Sequence, residues 1–201
     1  MSDALRYALR QPGSPEIALE VPQGGVSRVH LPDPQSKARF IAAVAKARCE
    51  DGEELELLGE PVERLRPAAR ARLLKRIGVL SPAVTLLTNL NAWENIALAA
   101  AYHGSPSRER VAQITQEVLG AFVAEPLALL ARLPDQLGTL QRRLVAFVRL
   151  LVMEPELVVI DALDEGLSRE ECASVARFEA QYRARHPSGT LLFVDAREEP
   201  S

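Results

Sequence analysis

Apolar positions change period along the chain, and each change marks an element. Residues 16–21 (EIALEV) and 25–31 (GVSRVHL) alternate apolar with polar side chains, the period of a half-buried strand, and Pro22-Gln23-Gly24-Gly25 supplies a turn between them. After the breakers of LPDPQ, the stretch KARFIAAVAKA is rich in helix formers and gathers Phe40, Ile41, Val44 and Ala45 on one side, so a helix is predicted to follow the second strand. In EELELLGEPV, Leu55 and Leu57 alternate with acids, and RLRPAARARLLKRIGVL closes on another short apolar run. From Trp93 to Leu133 the period is helical throughout: WENIALAAAYHG, SRERVAQITQEVLGAFV and PLALLARL read as consecutive helices, with Ser107 as an N-cap ahead of Val111, Ile114 and Val118. A helix over Leu140–Met153, the apolar run LVVI at 157–160, a helix over Glu170–Arg185 and a final strand TLLFV complete the chain. Strands alternating with helices predict an α/β fold, and runs such as LVVI and LLFV, with no polar residue inside them, suit a parallel sheet covered on both faces.

Composition narrows the class without changing the picture. The 201 residues are 47% hydrophobic and 25% charged, with a formal net charge of -3, which is ordinary globular usage for one domain able to bury roughly 70% of its extended-chain surface. Cys49 and Cys172 are far apart and in no metal spacing, so a disulfide scaffold is not expected and a reducing cytoplasm is. The start, MSDALRYALRQPGS, shows no secretory leader, and no window reaches the ~18 uninterrupted apolar residues of a membrane span. Basic residues, almost all arginine, are scattered among acids rather than striped, so nucleic acid is not expected as a partner.

Three stretches carry a family resemblance. RIGVL followed by LLTNLNAWENIAL resembles the region of ATP-binding cassette (ABC) ATPases that runs from the Q-loop strand into the helical subdomain. LPDQLGTLQRRLVAFVRLLVMEPELVVIDALDEGLS is similar, without a gap, to their signature motif, following helix, Walker B strand and D-loop. TLLFVDAREE has the shape of the strand and turn that bear their switch histidine. The chain resembles an ABC ATPase along nearly its whole length, closest in flavour to bacterial lipid-transport cassettes. That resemblance implies a P-loop NTPase fold with a mainly parallel sheet, N-terminal β elements and, within a single domain over 1–201, a helical subdomain inserted at 93–140.

The departures from the pattern fall where nucleotide would be handled. A P-loop, G-x-x-x-x-G-K-[ST], closes backbone N–H groups around phosphates, with lysine on the outer oxygens and a hydroxyl on magnesium. Here LPDPQSKA occupies the place: Lys37 matches, Leu31 and Ser36 replace the glycines, Pro32 and Pro34 offer no N–H, Ala38 removes the hydroxyl, and Asp33 adds repulsion against phosphate. Pro82, after Ser81, stands where the family has the Q-loop glutamine and can neither hold metal nor orient water. At the signature, Leu137-Gly138-Thr139-Leu140-Gln141 keeps only Leu137 and Gln141. Asp161 stays at the end of the Walker B run, but Ala162 takes the place of the glutamate that polarises the attacking water, and Ala196 that of the switch histidine. Asp164 and Glu165 fall on D-loop positions that the family turns toward the other subunit. His30, His103 and His186 read as surface or loop residues. Tyr7 lies near the distance of a base-stacking aromatic but reads as cover for a strand edge. Trp93, the side chain of largest apolar area, reads as a core anchor at the start of the helical segment.

Fold kept and chemistry lost predicts a catalytically deficient ABC-type subunit acting as structural or regulatory partner of a membrane transporter. The alternative is a nucleotide-binding ABC ATPase with non-standard motifs. No cofactor is expected; in the alternative, ATP with magnesium would use Lys37, Asp161 and Gln141. The resemblance implies a transmembrane permease as partner, met through Ser81, Pro82 and Trp93, and a second subunit, this chain again or an intact ABC ATPase paralogue, met through Asp164 and Glu165. Its place would be the cytoplasm, peripheral on the inner face of the cell membrane.

Overall fold

The computed structural model describes residues 3–11, 16–82, 86–103, 107–161 and 167–196. Among the described residues, eight strands and seven α-helices follow one another as β1 (Asp3–Leu9), β2 (Ile17–Pro22), β3 (Gly25–Leu31), α1 (Pro34–Lys46), β4 (Glu53–Leu57), β5 (Glu60–Pro61), α2 (Pro67–Leu74), β6 (Ile77–Leu80), α3 (Ala92–His103), α4 (Arg108–Gly120), α5 (Pro126–Leu130), α6 (Thr139–Leu151), β7 (Leu157–Asp161), α7 (Arg169–Arg185) and β8 (Thr190–Ala196). The chain divides into two compact units, one from 1–81, 155–162 and 187–201, the other from 82–154 and 163–186.

The first unit is built on two sheets. One is antiparallel, in the order β2-β1-β4-β5; the other is parallel, in the order β3-β8-β7-β6. Strand β1 was not anticipated from the sequence, although its alternation is regular: Leu5, Tyr7 and Leu9 are buried while Arg6 points outward, facing Glu20 on one neighbour and Glu56 on the other. The parallel sheet follows from the apolar runs. Leu157, Val158, Val159 and Ile160 of β7 are all buried, as a strand covered on both faces requires. Helix α1 turns Phe40, Ile41 and Val44 into one core with Tyr7, Leu55 and Leu57 of the antiparallel sheet and Leu157, Val159, Leu192 and Val194 of the parallel one. Because β3, β6, β7 and β8 are all parallel, their C-terminal ends at Leu31, Leu80, Asp161 and Ala196 lie along one edge.

The second unit is helical. Amphipathic α6 buries Leu144, Val145, Phe147, Val148, Leu150 and Leu151, and the Phe147 ring stacks on Phe178 of α7 at 4.2 Å between centroids. Ser107 caps α4 as expected, accepting from the Arg110 amide, and α7 starts with a reciprocal box in which Ser168 and Glu171 each take the other's backbone N–H. Among the described residues, no helix is long and apolar enough to cross a membrane.

Candidate functional site

Ligands of open parallel sheets bind beyond the carboxyl ends of the strands, so the edge carrying Leu31, Leu80 and Asp161 is where a site would form. There, β3 ends at Leu31 and α1 begins at Pro34, leaving two residues between strand and helix. Pro34 suits the first helical position, where its fixed φ is preset and its missing N–H is no loss. Asp33 is the N-cap: Oδ1 accepts from the Ser36 amide at 2.7 Å, Oδ2 accepts from the Ser36 hydroxyl at 2.6 Å, and the Asp33 carbonyl takes the Lys37 amide at 3.1 Å. These bonds, the Ser36 hydroxyl first and its amide second, hold the Asp33 carboxyl below the usual aspartate range. Of the residues matched to the P-loop, Pro34, Gln35 and Ser36 are therefore already helical, and the amide aimed at the front of the helix is held by a carboxylate of the chain itself.

Lys37 leaves the first turn of α1 toward β7, and its Nζ lies 2.8 Å from Asp161 Oδ1, an ion-pair contact whose angles fall outside hydrogen-bond geometry. The other carboxylate oxygen, Oδ2, accepts from the Ser81 hydroxyl at 2.7 Å. All three groups are largely out of water: the Lys37 and Asp161 side chains are 19% and 12% exposed, and Ser81 is 7% exposed. The two residues that a nucleotide-binding subunit would use for phosphate and magnesium are thus brought together, with each as the other's partner. Such a cluster can orient a loop, and it can receive an anion only by giving up an internal ion pair.

The remaining expected residues are placed as follows. Gln141 sits at the start of α6, where its side-chain oxygen accepts from the Gly138 amide at 3.1 Å and so caps its own helix. Ser81, expected on a partner-facing surface, is turned inward to Asp161, whereas Pro82 beside it is exposed. Trp93 is half-buried in the first turn of α3; the core positions there belong to its neighbours Ala92 and Ile96, smaller side chains that point inward. Ala162, Asp164 and Glu165 lie outside the described residues. Ala196 ends β8. His30 is exposed, 3.9 Å from Asp195 across the β3–β8 register, and His186 ends α7 half-buried beside Tyr182, where burial pushes its pKa down. Tyr7 is a core residue, edge-on to Phe40 with centroids 5.0 Å apart, so its ring offers no face to a base.

Sequence reasoning missed the polar cluster that Tyr7 joins. The Glu53 side chain is buried, yet it accepts from Tyr7 Oη at 3.0 Å, from Arg39 Nε at 3.2 Å and from the Glu50 amide at 2.7 Å. Burial and the Glu53 carboxylate raise the Tyr7 phenol well above its ordinary range. Nearby, burial and then Glu63, 2.9 Å from the sulfur, push the Cys49 thiol up to about 12. Only the alternation of β4, which turns Glu53, Leu55 and Leu57 to the same buried side, could have flagged that acid.

No family model matches the chain. Curated relatives do. It is 28% identical over 160 residues, 77% of this chain, to the sulfate/thiosulfate import ATP-binding protein CysA of Yersinia pseudotuberculosis. It is 25% identical over 174 residues, 85% of this chain, to the spermidine/putrescine import ATP-binding protein PotA of Trichormus variabilis, and 26% identical over 174 residues to the Fe(3+) ions import ATP-binding protein FbpC of Pseudomonas fluorescens. The chain spans less than half the length of these relatives, 43% of CysA, 44% of PotA and 48% of FbpC. Among solved structures, cbiO1 of Clostridium perfringens, part of the ABC transporter complex cbiONQ, matches at a TM-score of 0.73 with 14% identity, over 98% of this chain and 80% of that one. An ATP-binding cassette in a dimeric post-hydrolysis state, bound to ADP and Pi, matches at 0.72 with 16% identity, over 95% of this chain and 87% of that one. The fold is that of the ABC ATPases, a P-loop NTPase architecture.

Proposed function

We propose that this chain is an ABC-type subunit of a membrane transport complex, serving as a structural or regulatory partner and not hydrolysing ATP. What carries this reading is the two-residue connection between β3 and α1, with Asp33 on the helix amide that a phosphate would use. The sequence supports it at three further positions: proline at 82, alanine at 162 and alanine at 196 leave no side chain to orient metal-bound water, to accept its proton or to contact a γ-phosphate. Gln141, taken up by its own helix start, fits the same account. A transmembrane permease is the partner of the segment from Ser81 to Trp93, and either a second copy or an intact ABC ATPase paralogue is the partner of the segment bearing Asp164 and Glu165. The complex sits at the cytoplasmic face of the membrane, held there through the permease. The branch we propose from the overall resemblance is the lipid-transport one, whereas the relatives named above are import ATP-binding proteins for sulfate/thiosulfate, spermidine/putrescine and Fe(3+) ions.

A second reading, a nucleotide-binding subunit that energises transport, is favoured by two observations. Lys37 and Asp161 do meet at the strand ends, and the matched relatives are named as ATP-binding proteins. Titration with a fluorescent ATP analogue, with and without magnesium, separates the two. A ligand at a hundred times its Kd stabilises a protein by ~2.7 kcal/mol, which for a chain of this size is a rise of about 5–10 °C in Tm. The proposal expects neither binding nor a Tm rise at millimolar nucleotide; micromolar, magnesium-dependent binding overturns it.

A further inference from the structure

We propose that Lys37 is a positioning residue that fixes the two points where the chain leaves the parallel sheet at the ends of β6 and β7. The inference builds on the reading that Lys37 is not a phosphate ligand, and gives that residue a task in its place.

Asp161 is the last residue of β7, and Ser81 directly follows Leu80, the last residue of β6. From Ser81 the chain runs through Pro82 toward α3, and from Asp161 it runs toward α7. Both exits converge on one carboxylate: Ser81 donates to Oδ2 at 2.7 Å, and the Lys37 ammonium is held at 2.8 Å from Oδ1. The β6–β7 register ends at Leu80 opposite Ile160, one residue short of both, so the ladder holds Asp161 only on its other side, opposite Val194 of β8, and does not tie Ser81 to it. Lys37 is itself anchored in the first turn of α1, whose start is fixed by Asp33. One cation thus braces α1, β6 and β7 at their shared edge. Removing it leaves a carboxylate that is 12% exposed with, among the described residues, only a neutral hydroxyl on it, and an unpaired charge held out of water destabilises whatever holds it there. The strand ends would then loosen, and with them the start of the segment assigned to permease docking.

The test uses the nucleotide-free 201-residue chain and hydrogen exchange resolved by peptide, so its outcome does not depend on whether nucleotide binds. Four variants are compared with the parent: Lys37→Met, Lys37→Arg, Ser81→Ala and the double variant Lys37→Met with Asp161→Asn. Expected for Lys37→Met is exchange faster by about fivefold or more in peptides covering 77–82 and 157–161, with a smaller change in the same two peptides for Ser81→Ala. Lys37→Arg keeps the charge and restores most of the protection. The double variant, which removes the stranded charge along with its partner, also recovers it, and serves as the test if Lys37→Met does not fold. Exchange in those peptides that is unchanged by Lys37→Met, or raised equally in all peptides, overturns the proposal. So does a double variant no better protected than Lys37→Met. Failure of the non-hydrolysing reading would appear separately, as nucleotide binding to the parent protein.

Discussion

Replacing Asp33 tests the account of the β3–α1 connection most directly. In Asp33→Ala, α1 loses the carboxylate that accepts from the Ser36 amide and hydroxyl at 2.7 and 2.6 Å. Loss of an N-cap costs about 0.5–2 kcal/mol. Two bonds to a charged acceptor argue for the upper half of that range, and partial exposure of Asp33 for the lower. About 1 kcal/mol is the reasoned figure, or 2–4 °C in Tm for a chain of roughly this length. Asp33→Asn keeps an acceptor for the amide and should lose only a few tenths of a kcal/mol. The pH dependence has a definite sign. The folded-state pKa of Asp33 lies below its unfolded value, so its contribution is complete above the unfolded pKa, about 3.9, and disappears as pH falls through the lower folded value. The gap between parent and Asp33→Ala is therefore constant from neutral pH down to about pH 5 and closes below pH 4. Because two units need not unfold together, the assay is native-state exchange of α1 amides in urea rather than a single melting curve. A stability for Asp33→Ala equal to that of the parent, or a gap that widens on acidification, would refute the assignment of Asp33 as the cap that fills the front of α1.

Other expectations follow from the same packing. Phe147→Ala, at a fully buried position stacked on Phe178, should cost about 3–5 kcal/mol, read by urea unfolding followed through far-UV circular dichroism. Glu53→Ala removes the acceptor shared by Tyr7, Arg39 and the Glu50 amide; Arg39 keeps Gln11 and the Asp51 carbonyl, but the buried Tyr7 hydroxyl loses its acceptor, and a loss of about 1–3 kcal/mol is expected in the same assay. Cys49, its thiol pushed up by burial and by Glu63, should label with iodoacetamide much more slowly at about pH 8 in the folded protein than in urea, followed by mass spectrometry of its peptide. Ser168→Ala should cost ~1 kcal/mol, confined to the first turn of α7 and visible in the exchange of the Glu171 amide, which loses its acceptor.

Much of the fold was legible because the relevant signals are local. The uninterrupted LVVI and LLFV runs mark β7 and β8, the 3.6-residue period marks α3 to α6, and Ser107 marks the start of α4 to the residue. Strand β1 is not evident in the sequence although Leu5, Tyr7 and Leu9 alternate, because Ala4 and Ala8 fill the positions between and leave Arg6 alone to mark a polar face. The site divides the same way. Which residues were absent could be read directly, since a missing glycine, glutamine, glutamate or histidine needs no geometry to be noticed. What the residues present do with their valences could not. Asp33 was weighed as a repulsive charge against an incoming phosphate, and the structure places it as the acceptor that satisfies the helix in the ligand's stead. Ser81 is expected from the resemblance at the permease contact, and its hydroxyl instead donates to a carboxylate 80 residues away. In both cases the deciding fact is a pairing of polar groups, and burial makes such pairing obligatory without saying in advance which partner will be met. The chemistry that remains at the strand ends is therefore best understood from its satisfied hydrogen bonds. A site evolved to exchange ligands keeps donors open to solvent, whereas the Ser36 amide and the Ser81 hydroxyl each already have an acceptor within the chain, and the Lys37 ammonium already has an ion-pair partner.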